Sequence, residues 1–305
     1  MLEHNFDNYE IDNSINNLIT NIISLQIEEK FIEENVTIII ENIITSLEND
    51  LSNQSEDKKE IIQKFYNNVK GKSIPAKINC GDEGHWLEKQ MGLKPNSKNE
   101  PDINGYEMKK ESNKITFGDF SASKYLFNIH DDFTRDEFIK TFGTQKDKKK
   151  GQKTIKRYSW SGECVPKYAN GSWNQCGQKM IIDENENLCI YYSYQKDERT
   201  IKEKFKEFLK TENEILIAFW EKEKLSNHIN RKFNKNGFFI CKKDENKETY
   251  QKICFGKKFS FNDFISGLKN EKIFFDSGMY MGNTRNYSQF RADKNFWNSL
   301  IVQEF

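Results

Sequence analysis

Across the first seventy residues, apolar side chains recur at helical spacing. Ile15, Leu18, Ile19, Ile22 and Ile23 follow the i, i+3, i+4, i+7, i+8 series of one helix face. A second series, Ile38, Ile39, Ile43, Ile44 and Leu47, predicts a helix over 33–51. A third and more polar one, Ile61, Ile62, Phe65 and Val69, predicts a helix over 56–69, ended by Gly71-Lys72-Ser73-Ile74-Pro75. The first seventy residues are therefore expected to be helical, either as a cap on the rest of the chain or as an arm around a nucleic acid or a contact between copies, with the negative charge arguing against direct phosphate contact.

Beyond residue 72 the period changes. Short helices are predicted at 85–93, 134–141, 200–209, 225–233 and 261–268. The second of these starts at Thr134, with Glu137 closing a capping box. Strands are predicted at 106–109, 115–117, 125–129, 214–220, 238–242, 250–255 and 272–275. The runs 179–182 and 188–194 alternate and are joined at 183–187 as a hairpin. This order predicts an α/β fold: a mixed central sheet flanked by helices over 73–305, with an N-terminal helical subdomain over 1–72.

Composition narrows the class. Of 305 residues, 36% are hydrophobic and 31% charged, and 24 Phe, 12 Tyr and 5 Trp supply a core, so the chain is globular rather than disordered. The most apolar run, 36–47, is broken by Glu41 and Asn42 and is too short to span a membrane. No signal peptide is expected at the polar, acidic start. The six cysteines contain no C-x-x-C pair and read as reduced thiols of a cytoplasmic protein.

Net charge is zero but unevenly spread. Residues 1–60 carry 14 acidic and 3 basic groups, whereas the remaining 245 carry 44 basic and 33 acidic ones. A basic body fits a nucleic-acid partner. Seven basic residues against one acid fall in 146–157, among them Lys148, Lys149, Lys150, Lys153 and Arg157. That stretch is expected to be a flexible loop on backbone phosphates. Trp160 and Ser161 follow in S-W-S-G, which suits either a DNA-facing edge or a turn in the core.

The candidate chemistry lies at 80–124. Alternation places Glu107 and Lys109 on one face of a strand, with Tyr106 and Met108 on the other. Asn104-Gly105 supplies a turn that can bring Asp102 back beside Glu107. Two carboxylates that close repel unless a cation lies between them, and hard oxygens suit magnesium or manganese. A lysine beside them would sit near an attacking water and a phosphate, a combination suited to phosphodiester hydrolysis. Upstream, Glu88 sits on the predicted helix and could supply a third acid. A plain solvated face is the competing explanation for each of these charges in a chain this polar. The histidines His85 and His130 are expected to be structural or exposed.

At Gly84, Leu87-Glu88, Gly92, Pro101-Asp102 and Gly105-x-Glu107-x-Lys109 the chain resembles the MutH-like branch of the PD-(D/E)XK nucleases. The spacing from Glu88 to Asp102, Glu107 and Lys109 is similar to that of the MvaI and BcnI restriction endonucleases, and the downstream text resembles the LlaMI-type restriction enzymes. The resemblance implies a PD-(D/E)XK core and a type II restriction endonuclease cutting double-stranded DNA at a short site of the CC-N-GG kind. It implies Asp102 and Glu107 as ligands of Mg2+, with Mn2+ able to substitute, and Glu88 and Lys109 as further catalytic residues. It also implies Arg285 and Arg291 in a C-terminal DNA-reading segment, a partner DNA methyltransferase, and action as a monomer. A MutH-like repair nickase and a DNA-binding protein without catalysis are the competing functions.

Overall fold

Between Phe6 and Asn68 the chain contains neither glycine nor proline. That whole stretch is one helix, α1 (Phe6–Asn68). The three separate helices expected from the apolar series are joined, because polar residues lower helix propensity only slightly while Gly and Pro are what break it. The computed structural model describes residues 6–75, 81–93, 99–150, 153–246 and 248–305. Of these it gives the backbone alone for 6–15, 26, 27, 29, 43–55, 148–150 and 153. The chain divides into two compact units, Met1–Glu60 and Ile61–Phe305.

The second unit opens on the last turns of α1, which bury Ile61, Phe65 and Val69. In order there follow α2 (Asp82–Gln90), β1 (Glu107–Lys110), β2 (Lys114–Asp119), β3 (Lys124–Tyr125), α3 (Arg135–Phe142), β4 (Thr144–Lys150) and β5 (Lys153–Trp160). Next are β6 (Cys176–Ile182), β7 (Leu188–Asp197), α4 (Phe208–Thr211), β8 (Ile215–Trp220), α5 (Lys222–Phe233), β9 (Phe238–Lys243) and β10 (Tyr250–Gly256). The chain closes with α6 (Phe261–Lys269), β11 (Ile273–Ser277), β12 (Met279–Tyr280), β13 (Ser288–Asp293), α7 (Lys294–Ser299) and β14 (Ile301–Glu304). The predicted capping box of α3 is present, Thr134 and Glu137 each accepting from the other's backbone N–H.

The fold is α/β, as expected, but its strands form several sheets rather than one. The mixed sheet runs β1-β9-β10-β14, with β1 parallel to β9 and the other pairs antiparallel. The orders β11-β13-β2, β12-β5-β4 and β3-β8-β7-β6 make up the others. Two hydrophobic clusters result. Tyr106 and Met108 join Leu87 and Met91 of α2 with Phe239, Cys241 and Phe255. Phe238 and Ile240, which alternate to the opposite face of β9, join Phe117, Phe233, Phe264 and Trp297 in the larger one.

Three local expectations are corrected. Residues 146–157 are not a loop: β4 and β5 pair from Thr144↔Ser159 to Lys150↔Lys153, and β12 extends them at Met279↔Trp160. Partner strands from distant sequence satisfy this backbone, which local charge cannot reveal. The strand expected at 125–129 stops at Tyr125 and becomes a 3-10 turn, Leu126–Asn128, because Asn128 Oδ1 of the side chain accepts from Tyr125 N at 3.1 Å. The helix expected at 200–209 is split into a 3-10 turn, Thr200–Lys204, and α4. The Asp197 carboxylate draws in Arg199 N and Nε and so fixes where that segment starts.

Candidate active site

The Asn-Gly turn forms as its sequence requires. Asn104 and Gly105 both have positive φ, 48° and 78°, and Ile103 and Tyr106 exchange backbone hydrogen bonds across them. Only glycine suits the second position, since a Cβ there would also lie 2.8 Å from Asn236 Nδ2. The turn returns Asp102 to the strand, where its Oδ2 accepts from Met108 N at 2.9 Å. Glu107 begins β1 in parallel register with Phe238, with its N–H donating to Gly237 O.

Glu107 and Lys109 are both buried on the β1 face toward the larger core. Lys109 Nζ donates to Glu107 Oε1 at 2.7 Å and lies 5.4 Å from the Phe233 ring centre. A second ammonium, Lys232 Nζ from α5, reaches the same oxygen at 2.9 Å. Glu107 Oε2, in contrast, is buried and has no hydrogen-bond partner among the described residues.

The electrostatics follow from this crowding. Burial, and after it the negative charge of Glu107, pushes the Asp102 carboxyl up to about 6. Burial also pulls the Lys109 ammonium below its ordinary value, and the charge of Lys232 adds to that against the opposing pull of Glu107. Glu107 thus keeps one buried oxygen without a hydrogen-bond partner among the described residues, beside a carboxyl that resists ionisation. That donor set fits a hard divalent cation. No group of three or more His, Cys, Asp or Glu suited to a metal occurs among the described residues. The protein thus offers two carboxylates, and water and phosphate oxygens would complete the shell, as is usual for magnesium.

A family model described as LlaMI restriction endonuclease matches residues 67–305. The chain belongs to that family. It is a restriction endonuclease, a site-specific deoxyribonuclease. Type II restriction enzyme ScrFI of Lactococcus lactis subsp. cremoris is 38% identical to it over 272 residues, covering 81% of this chain and 97% of that protein. The restriction endonuclease MvaI, solved with its cognate DNA substrate, superposes with a TM-score of 0.50 at 12% identity, covering 83% of this chain and 97% of that one. That likeness shows a restriction-endonuclease-like fold. No described helix is long and apolar enough to cross a membrane.

Other predicted residues of this LlaMI-family chain lie elsewhere. Glu88 is half-buried on α2 and its Oε2 faces His85 Nδ1 at 3.3 Å. The buried residues of α2 pack on the Met108 side of β1, opposite Glu107 and Lys109. The fully buried acid of α2 is Glu83, which accepts from Tyr250 Oη at 2.8 Å and pairs with Lys110 and Lys243. Trp160 is not a DNA-facing side chain: it is fully buried, with Nε1 donating to Gln178 Oε1 at 2.9 Å and the Phe138 ring 4.9 Å away. Its indole goes to the core because its only polar atom finds a buried acceptor there. Ser161 accepts from Lys146 Nζ through its carbonyl and hydroxyl. The side chains of Lys148, Lys149, Lys150 and Lys153 lie outside the described residues; their backbones form the paired ends of β4 and β5. Arg157 stacks on Tyr280, 3.7 Å from the ring centre.

The two arginines of the C-terminal segment differ. Arg291, in β13, is part-buried and pairs with Asp276 through Nε at 3.1 Å. Arg285 is 68% exposed, leans on Tyr287, and has only a long contact of 3.4 Å to Asp119. Its loop is held by Arg135, whose guanidinium donates to Asn283 O, Asn286 Oδ1 and Arg285 O at 2.7–2.8 Å. Arg135 and Lys232 carry no motif in the sequence. Each matters only because folding delivers it across more than a hundred residues.

Proposed function

We propose that the chain is a type II restriction endonuclease that hydrolyses phosphodiester bonds of double-stranded DNA at a short specific site, with magnesium as cofactor and manganese able to replace it. The observation that carries this reading is buried Glu107 beside part-buried Asp102: Glu107 keeps one carboxylate oxygen without a hydrogen-bond partner among the described residues while two lysines crowd its other oxygen. Asp102 and Glu107 would hold the cation. When bound, it neutralises charge on the scissile phosphate and on the departing oxygen.

The side chains supply the rest. Lys109 sits in a dry pocket between Glu107 and Phe233, so it can orient the attacking water. Burial loosens its hold on its proton, and its Nζ would help activate that water. Lys232 holds Glu107 Oε1, which would leave Oε2 available to a cation. The contribution expected of Glu88, to shape the site or help hold a second ion, starts from a side chain that faces His85. The β4–β5 hairpin and Arg285 are the DNA contacts: the hairpin for phosphate, and Arg285 for a base edge or phosphate. A restriction enzyme acting on DNA in the cytoplasm needs its own genome protected, which implies a partner DNA methyltransferase.

The test is cleavage of plasmid DNA with and without magnesium, followed by sequencing of the ends. Discrete double-strand cuts at one short sequence, bearing 5′-phosphates and 3′-hydroxyls and requiring the cation, are expected. Single-strand nicks would favour a repair nickase, and binding without cleavage would overturn the catalytic assignment.

A further inference from the structure

The first two thirds of α1 carry a period of their own. Ile11, Leu18, Leu25, Ile32 and Ile39 stand seven residues apart, and so do Ile15, Ile22, Glu29, Val36 and Ile43, offset by four. Together they are the d and a positions of a heptad repeat held over 33 residues, with Glu29 the only polar one. The described members are strongly exposed: Leu18 65%, Leu25 64%, Ile32 61% and Ile39 56%. An apolar stripe this long left in water calls for a partner.

We propose that this seam pairs with the same segment of a second copy of the chain, so that the enzyme is a dimer joined by a coiled coil. The period decides what kind of surface covers it. A 3.5-residue repeat keeps its knobs in register only with another helix of the same repeat, whereas the 3.6 period of an ordinary helix drifts away. The apolar a positions are all β-branched; Leu18 and Leu25 at d make the combination that favours two strands in the middle of the seam, while Ile11, Ile32 and Ile39 at its ends do not select for two.

Charge also bears on the occupant. The flanking e and g positions are mostly uncharged, with Asn21, Asn35 and Asn42 at g and Ile19 and Ile40 at e. The charged ones, Asp12, Glu28 and Glu33, are all acidic, so the flanks add repulsion between two copies and the apolar seam has to carry the pairing. Nine apolar seam residues from each of two helices remove on the order of 1,400 Å2 from water, within the range of about 1,200–2,000 Å2 of a stable interface. The dimer departs from the monomer that the resemblance implies, and it does so through a segment that precedes the family match at residue 67. Six acids against one base in 11–43 oppose pairing, which makes the dimer tighten as pH falls.

Sedimentation of the full chain tests this. The wild type is expected at twice the 36.2 kDa chain mass. Leu18→Asp with Ile39→Asp should return it to the single mass while each chain still cuts DNA, and Thr20→Asp, on the solvent side of the helix, should leave the dimer intact. Glu29→Ile should tighten the dimer about tenfold or more, because it completes the seam. A wild type that sediments as one chain at both neutral and mildly acid pH overturns the proposal. So does a dimer that survives the Leu18 and Ile39 changes with its DNA cleavage intact, since the contact then lies elsewhere.

Discussion

Lys232 Nζ lies 2.9 Å from Glu107 Oε1, the same oxygen that Lys109 holds at 2.7 Å. One buried carboxylate thus carries two ammonium groups on one oxygen and none on the other, although the two lysines come from β1 and α5. The arrangement fixes the rotamer of Glu107 and sets the charge around Asp102 and Lys109.

Replacing Lys232 tests that role. Lys232→Met should lower cleavage by about ten- to a hundredfold, an added barrier of roughly 1.4–2.7 kcal/mol. Lys232→Arg should restore much of it by keeping the charge. Because Lys232 pulls the Asp102 carboxyl down and lowers Lys109, the methionine variant should also move the pH–rate midpoint upward. A lysine that serves packing alone would change stability and leave the profile where it was.

The Asp102 carboxyl, raised to about 6 against an ordinary value of 3.8, gives a pH signature in the metal-free protein. The folded state holds that proton more tightly than the unfolded one. Its contribution to stability is therefore complete below pH 4 and is lost as pH rises through about 6, by at most about 3 kcal/mol. Thermal unfolding without metal should show the loss, and Asp102→Asn should abolish it. Added magnesium should raise the wild-type melting temperature more above pH 6 than below, and should fail to raise that of the variant, which should not cut DNA.

Neutralising Lys148, Lys149 and Lys150 together should weaken binding to every sequence alike and flatten the dependence of affinity on salt by about one unit of log–log slope per lost contact. Binding measured across a salt series checks this. An unchanged slope would mean that the β4–β5 hairpin stays off the DNA.

Arg285 and Arg291 should separate cleanly. Arg285→Ala should cost roughly 1–3 kcal/mol for the cognate site and little for random DNA if the side chain reaches a guanine. Arg291→Ala should instead reduce stability, since it strips the partner from Asp276 within the β11–β13 pair. Arg135→Ala should mimic the Arg285 variant without touching DNA, because it releases the backbone of the Arg285 loop. Titration of both DNAs beside thermal melts tells these outcomes apart.

The sequence by itself determined whatever depends on neighbours a few residues apart. Alternation put Glu107 and Lys109 on one face of a strand, Asn104-Gly105 dictated the turn, Thr134 and Glu137 closed their helix, and the lack of Gly and Pro made α1 possible. Backbone sterics and hydrogen bonds that act over one or two turns decide these features, so they are legible in a string. The tertiary structure alone decided which charges share a pocket. Lys232 meets Glu107 because α5 packs beside β1, Arg135 grips a loop some 150 residues later, and Trp160 turns inward because Gln178 waits there. From its spacing Glu88 is expected as a third acid, and only the fold shows that the buried residues of α2 lie on the Met108 side of β1. Burial raises the cost of an unpaired charge only once the fold has excluded water, so both the strength and the partner of each ionic group were set at that stage.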